Sequence, residues 1–155
     1  MNDHSAKISR QAASEAETQQ LAADLVRAIK SGAIIYLYGT LGAGKTTFVR
    51  GMLRGLGFTG RVKSPTYTIV EPYETDKFDV FHFDLYRLDD ANELRQIGLE
   101  TYFDGKSVCL IEWPEKGSPI LPSPDLVCYF DIIENGRKIR FESFTNKGKE
   151  ILTLL

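Results

Sequence analysis

Cysteine is scarce in this sequence: Cys109 and Cys128 are its only two. They are too few for a disulfide scaffold and too far apart for a CxxC metal or redox motif. Both sit in apolar runs, which reads them as reduced, buried thiols. An excess of charge of one sign is also lacking. Nineteen basic against twenty-one acidic side chains leave a net charge of −2, so no broad positive field exists to condense on a phosphodiester backbone, and strong direct binding of nucleic acid is not expected. Long apolar runs are missing as well. The N-terminal region has no uninterrupted apolar segment of the signal-peptide kind, and nowhere are there the ~18 consecutive apolar residues of a membrane span. The expectation is a cytoplasmic protein with no membrane association. Internal repeats, low-complexity tracts and linkers are absent too.

What is present suffices for one core. A chain of 155 residues, 43% hydrophobic and 11% aromatic, is read as a single domain over 1–155, with residues 1–12 expected to be flexible. Ser14 and Glu17 have capping-box spacing, and Leu21, Ala22, Leu25, Val26 and Ile29 then recur on one helical face until Gly32. Ala33 to Tyr38 (AIIYLY) is a continuous apolar run suited to a strand covered on both faces. From Lys45, the positions Phe48, Val49, Met52, Leu53 and Leu56 keep helical spacing, with Gly57 available as a left-handed cap.

Further on, Thr66 to Pro72 and Phe78 to Phe83 are β-rich and predict a hairpin, with Pro72 at an edge or strand end. Ala91 to Ile97 reads as a short helix, and Val108 to Ile111 as a second fully apolar strand closed by Glu112 and Trp113. Leu126 to Ile133 and Lys138 to Phe144 flank Asn135 and Gly136, a strong hairpin signal.

The run Gly39, Thr40, Leu41, Gly42, Ala43, Gly44, Lys45, Thr46 has the form GxxxxGK[ST] between the apolar strand and the periodic helix. Glycines let backbone N–H groups turn inward around phosphate oxygens, at a helix N-terminus whose dipole favours negative charge. Gly39, Gly42 and Gly44 permit that backbone. Lys45 is expected to reach the β- and γ-phosphates, and the Thr46 hydroxyl to ligate Mg²⁺. The motif therefore predicts ATP and Mg²⁺ as ligands, and hydrolysis as the activity.

Such a loop also needs a carboxylate at the tip of a neighbouring strand. Asp84 follows Val80 to Phe83, and Glu112 follows Val108 to Ile111. Each could be a plain strand-end acid. Beside a P-loop, in a parallel sheet whose strand ends converge on the ligand, one is expected to orient Mg²⁺ and the other to position or deprotonate the attacking water. Lys63 to Tyr67 form a polar loop in which Thr66 could sense a γ-phosphate or its metal, the alternative being an ordinary turn around Pro65. His82, between aromatics in a strand, reads as a packed histidine, and Arg87 as a surface partner of Asp84, Asp89 or Asp90, the alternative being an approach to phosphate. Asn146 to Lys149 superficially match the guanine-reading NKxD element, but Lys149 replaces the acid, so guanine specificity is unsupported.

Taken together, GTLGAGKTTFVRG (39–51), VKSPTYTIVEPY (62–73), FHFDLYRL (81–88), ELRQIGLETYF (93–103), LIEWPEKG (110–117) and LPSPD (121–125) make the chain resemble the TsaE (YjeE) family. That family is the ATPase subunit of the bacterial machinery that forms threonylcarbamoyladenosine at position 37 of tRNAs reading codons that begin with adenine. The resemblance implies a P-loop NTPase-like three-layer α/β sandwich with a mainly parallel central sheet and a C-terminal antiparallel hairpin. It implies that Gly42, Ala43, Gly44, Lys45, Thr46 and Thr47 bind ATP phosphates, that Thr46 and Glu112 hold Mg²⁺, that Asp84 acts in hydrolysis, and that residues near Glu15 and Thr18 approach the base. It also implies TsaB and TsaD as protein partners, with ATP hydrolysis resetting their complex. A P-loop kinase and a nucleotide-gated binding module without turnover are the rival readings.

Overall fold

The apolar runs of the sequence become the middle of one sheet. In the computed structural model, which describes residues 5–65 and 67–155, the chain runs β1 (Lys7–Ala12), α1 (Glu15–Arg27), β2 (Ala33–Tyr38), α2 (Lys45–Gly55), β3 (Val70–Glu74), β4 (Asp79–Asp84), α3 (Glu93–Gln96), β5 (Val108–Glu112), β6 (Leu126–Ile133), β7 (Gly136–Ser143) and α4 (Asn146–Thr153). Single 3-10 turns occupy Leu99–Thr101 and Pro114–Gly117. The seven strands form one sheet of order β1-β7-β6-β2-β5-β4-β3, with β2 at its centre.

The fold is α/β, but its sheet is mixed rather than mainly parallel. Three pairings are parallel (β2 with β5, β2 with β6, β4 with β5) and three antiparallel (β1 with β7, β3 with β4, β6 with β7). The parallel block is the middle, where crossover helices can cover both faces. The antiparallel strands are added at the two margins, where tight hairpins suffice. The hairpin signal at Asn135 and Gly136 holds, joining β6 to β7 at the pair Ile133 and Gly136. Pro72 lies in β3, an edge strand, where a missing N–H is tolerated.

Two further expectations are corrected. Of the residues expected to be flexible, Lys7–Ala12 form the edge strand β1, in register from Lys7 opposite Glu142 to Ala12 opposite Arg137. The strand expected from Thr66 begins instead at Val70, because Ile69 takes a left-handed φ of 70° that turns the chain just before it.

Alternation along β2 serves both faces of the sheet. Ala33, Ile35 and Leu37 join the cluster under α1, α2 and α4, while Tyr36 faces Phe83, Leu94, Leu99 and Ile111 on the other side. Ser14 caps α1, accepting the Glu17 N–H at 3.2 Å, and α1 then buries Ala22, Leu25 and Val26. Asp125 ties the opposite end of the sheet together. Its carboxylate accepts the Ile34 N–H at 2.9 Å and the Thr145 hydroxyl at 2.8 Å, joining the starts of β2, β6 and α4. Among the described residues no helix is long and apolar enough to cross a membrane.

Candidate phosphate-binding site

Strand register assembles the site. Glu112, the last residue of β5, pairs with Leu37 of β2 on one side and with Asp84, the last residue of β4, on the other. The carboxyl ends of three parallel strands therefore finish level. From β2 the chain runs through α2 to β3 at one edge of the sheet, whereas after β5 it passes across β2 to β6 on the other side, the kind of switch point at which open α/β sheets bind ligands.

The loop from β2 to α2 takes φ of 79° at Gly42 and 104° at Gly44, a conformation that a side chain strains. A Cβ at Gly42 would meet nothing within 4 Å, so the backbone there borders open space. Gly39 serves packing instead, since a Cβ would come within 3.0 Å of Phe130 Cβ and hold the loop away from β6. The Ala43 methyl is buried in the core under α2.

Lys45 opens α2 and is only 5% exposed. Its ammonium donates to the Gly39 carbonyl at 2.6 Å and lies 3.9 Å from the centroid of the Trp113 ring. Burial lowers its pKa, opposed by the negative charges of Glu112, Asp84 and Glu115. Trp113 reaches that position through a left-handed φ of 56° directly after β5.

Glu112 is 4% exposed. Its Oε2 accepts the Thr46 hydroxyl at 3.4 Å and lies 2.6 Å from Nε2 of His82, which is itself fully buried. Asp84 differs. Its Oδ1 accepts the Tyr86 N–H at 3.0 Å, and burial, followed by the Glu112 charge, raises its carboxyl above the usual range against the pull of Tyr86 N–H, His82 and Lys45. One carboxylate is thus pinned to the loop's threonine, and the other stands beside it with raised basicity.

Gly42, Gly44, Lys45, Thr46, Thr47, Asp84 and Glu112 all line one cleft of about 570 Å³, which Ser14, Glu15 and Thr18 around the start of α1 also line. Thr66 lies outside the described residues. Ser64 from the same loop does line the cleft. Arg87 departs from its expected surface pairing: among the described residues it forms no ion pair, lines the cleft, and lies 4.9 Å from the centroid of the exposed Tyr67 ring. Asn146 to Lys149 form the first turn of α4, and Lys147 donates to the Gly32 carbonyl at 2.6 Å, at the end of β2 opposite the cleft.

Two residues of the site were not singled out for it in the sequence. Arg137 of β7 donates from Nε to the Ala43 carbonyl and from Nη2 to the Gly42 carbonyl, both at 3.1 Å, and so buttresses the glycine loop from a distant element. His82 packs as expected, yet it also touches Glu112. The spacing His82-x-Asp84 carried a usable signal, since residues two apart in a strand share a face.

Chemically, the cleft offers a glycine loop at a helix N-terminus, a buried ammonium, a hydroxyl beside a carboxylate, and a second carboxylate. Among the described residues no three His, Cys, Asp or Glu side chains gather as a metal cage. The hard oxygen pair of Thr46 and Glu112 suits Mg²⁺, which is commonly held by one or two carboxylates together with substrate phosphates and water.

Known proteins share this sequence and shape. The family model described as "Threonylcarbamoyl adenosine biosynthesis protein TsaE" matches residues 12–140. The tRNA threonylcarbamoyladenosine biosynthesis protein TsaE of Haemophilus influenzae is 51% identical over 120 residues, covering 77% of this chain and 76% of that one. The protein of the same name from Bacillus subtilis is 42% identical over 110 residues, covering 71% and 68%. The crystal structure of Bacillus subtilis YdiB superposes with a TM-score of 0.81 at 30% identity, over 98% of this chain and 95% of that one.

Proposed function

Because the chain belongs to the TsaE family and so to the biosynthesis of threonylcarbamoyladenosine in tRNA, we propose that it is a P-loop ATPase of that pathway, binding ATP with Mg²⁺ and hydrolysing it in the cleft at the ends of β2, β4 and β5. The observation that carries this reading is the convergence of Lys45, Thr46, Glu112 and Asp84 under a loop with left-handed glycines at 42 and 44. The parallel middle of the sheet, with layers on both faces, accords with a P-loop NTPase-like sandwich.

Each side chain has its own role in this scheme. The loop amides and the α2 dipole receive the phosphates, and Lys45 trades its bond to Gly39 for phosphate oxygens. Bound Mg²⁺ would neutralise charge on the phosphates that develops during transfer. Thr46 and Glu112 would hold that ion. Asp84, unpaired with the metal and of raised basicity, orients the attacking water and accepts its proton. Glu15 and Thr18 line the same cleft, and in this reading they approach the base.

The partners in this reading are the TsaB and TsaD proteins, in the cytoplasm, with hydrolysis resetting their complex rather than transferring threonylcarbamoyl. The near-balanced charge agrees with a subunit that does not itself grip tRNA. The test is phosphate release with TsaB and TsaD present. Mg²⁺-dependent turnover should fall by at least ~10²-fold in Lys45→Ala, the order of loss seen when a preorganised charge-stabilising donor is removed. Undiminished turnover in that variant refutes the assignment. Phosphate appearing on an acceptor rather than in solution would indicate a kinase instead.

A further inference from the structure

His82 lies in β4 between Phe81 and Phe83, whose rings turn to the face of Tyr102. Alternation turns His82 to the opposite face, the one that carries Val80 and the cluster beneath α1 and α2. In register His82 pairs with Leu110 and Asp84 with Glu112, so the imidazole is the diagonal neighbour of the Glu112 carboxylate across two parallel strands.

The ring is fully buried, and it does not line the cleft. Its Nε2 meets Glu112 Oε2 at 2.6 Å, while Nδ1 has no hydrogen-bond partner among the described residues. An apolar side chain of that size would fill the space with no polar atom stranded, so packing does not account for an imidazole here. A hydrogen on Nε2 lets the ring donate to Glu112 Oε2. Glu112 Oε2 is then held from two sides, by His82 on β4 and by Thr46 on α2.

We propose that His82 is a positioning residue for the metal step: its imidazole fixes the Glu112 carboxylate in the orientation in which Glu112, with Thr46, receives the Mg²⁺ of the bound nucleotide. Groups that orient a ligating carboxylate set metal affinity without touching the metal. The inference rests on the ATPase reading and adds to it a residue that contacts neither nucleotide nor ion.

The test uses ADP binding, not turnover. The affinity of the protein for ADP is measured by calorimetry in EDTA and again across a Mg²⁺ titration, for wild type, His82→Asn and His82→Gln. Both variants bury an uncharged amide. The amide of Gln extends to where Nε2 lies, whereas that of Asn stops near Nδ1. The expected result is that His82→Asn binds ADP in EDTA as wild type does but needs about 10- to 100-fold more Mg²⁺ to tighten it, and that His82→Gln recovers most of this loss. If His82→Asn does not fold, His82→Leu takes its place with the same loss expected. An unshifted Mg²⁺ midpoint in the folded Asn or Leu variant overturns the proposal, as does an equal loss in His82→Gln. Absence of Mg²⁺-dependent ADP binding by wild type overturns the ATPase reading itself, a distinguishable result.

Discussion

Asp84 carries an electrostatic cost in the resting protein that follows from its place at the end of β4. Burial and the neighbouring Glu112 raise its pKa, so the fold favours the protonated acid. The group therefore leaves stability unchanged well below the ordinary carboxylate pKa, where it is neutral whether folded or not. It subtracts stability increasingly as pH rises through its raised folded value, and fully above it. Asp84→Asn keeps an oxygen for the Tyr86 N–H and removes the charge. It should melt higher than wild type at neutral pH, with the difference vanishing in acid, while turnover falls by about 10²- to 10⁴-fold. Thermal melts from acid to neutral pH, beside phosphate release, check both halves. A variant that melts lower at neutral pH would contradict the assigned burial cost. At this scale the gathering of the glycine loop, Lys45, Thr46, Asp84 and Glu112 around one cleft was legible because it follows from short spacings and strand ends. The contacts of His82 with Glu112 and of Arg137 with the loop carbonyls were not, because they exist only once strands distant in sequence are side by side.

Among the elements, α2 must lie close to α1 for the glycine loop to sit over the strand ends. Gly51 makes that approach possible, since a Cβ there would fall 2.5 Å from both Cα and O of Gln19. These are backbone atoms, unable to swing aside. Gly51→Ala is expected to destabilise the protein by about 1–3 kcal/mol, the usual cost of overpacking, despite alanine's better helix propensity. Urea unfolding measures it, and a variant as stable as wild type would show that the helices have room to part. The elements with strong internal pattern, β2, α2, β5 and the β6–β7 hairpin, were readable from the sequence alone. β1 was not: its residues are mostly exposed, its pattern is polar, and what makes it a strand is β7 at the other end of the chain. α4 was likewise unmarked. It is short, begins at the Thr145 cap, and docks where Gly148 allows the Asp125 carbonyl closer than any Cβ would permit.

For the molecule as a whole, one mixed sheet places its parallel centre beside the cleft and uses antiparallel strands at its margins to extend and brace it. β7 reaches back through Arg137 to the glycine loop, and the start of α1, which follows β1, lines the cleft. The parts added around the parallel block thus shape the site as well as the core. All of this depends on the cleft being a nucleotide site in which Lys45 and Mg²⁺ balance phosphate charge. Calorimetric titration of ATP into the purified protein, with and without Mg²⁺, for wild type and Lys45→Ala, measures that directly. The account predicts one site per chain, tightened by Mg²⁺ and weakened by about tenfold or more in Lys45→Ala, as expected for loss of a hydrogen bond to a charged group. Folded wild-type protein that retains no ATP under either condition, or a Lys45→Ala variant that binds as tightly as wild type, would contradict it.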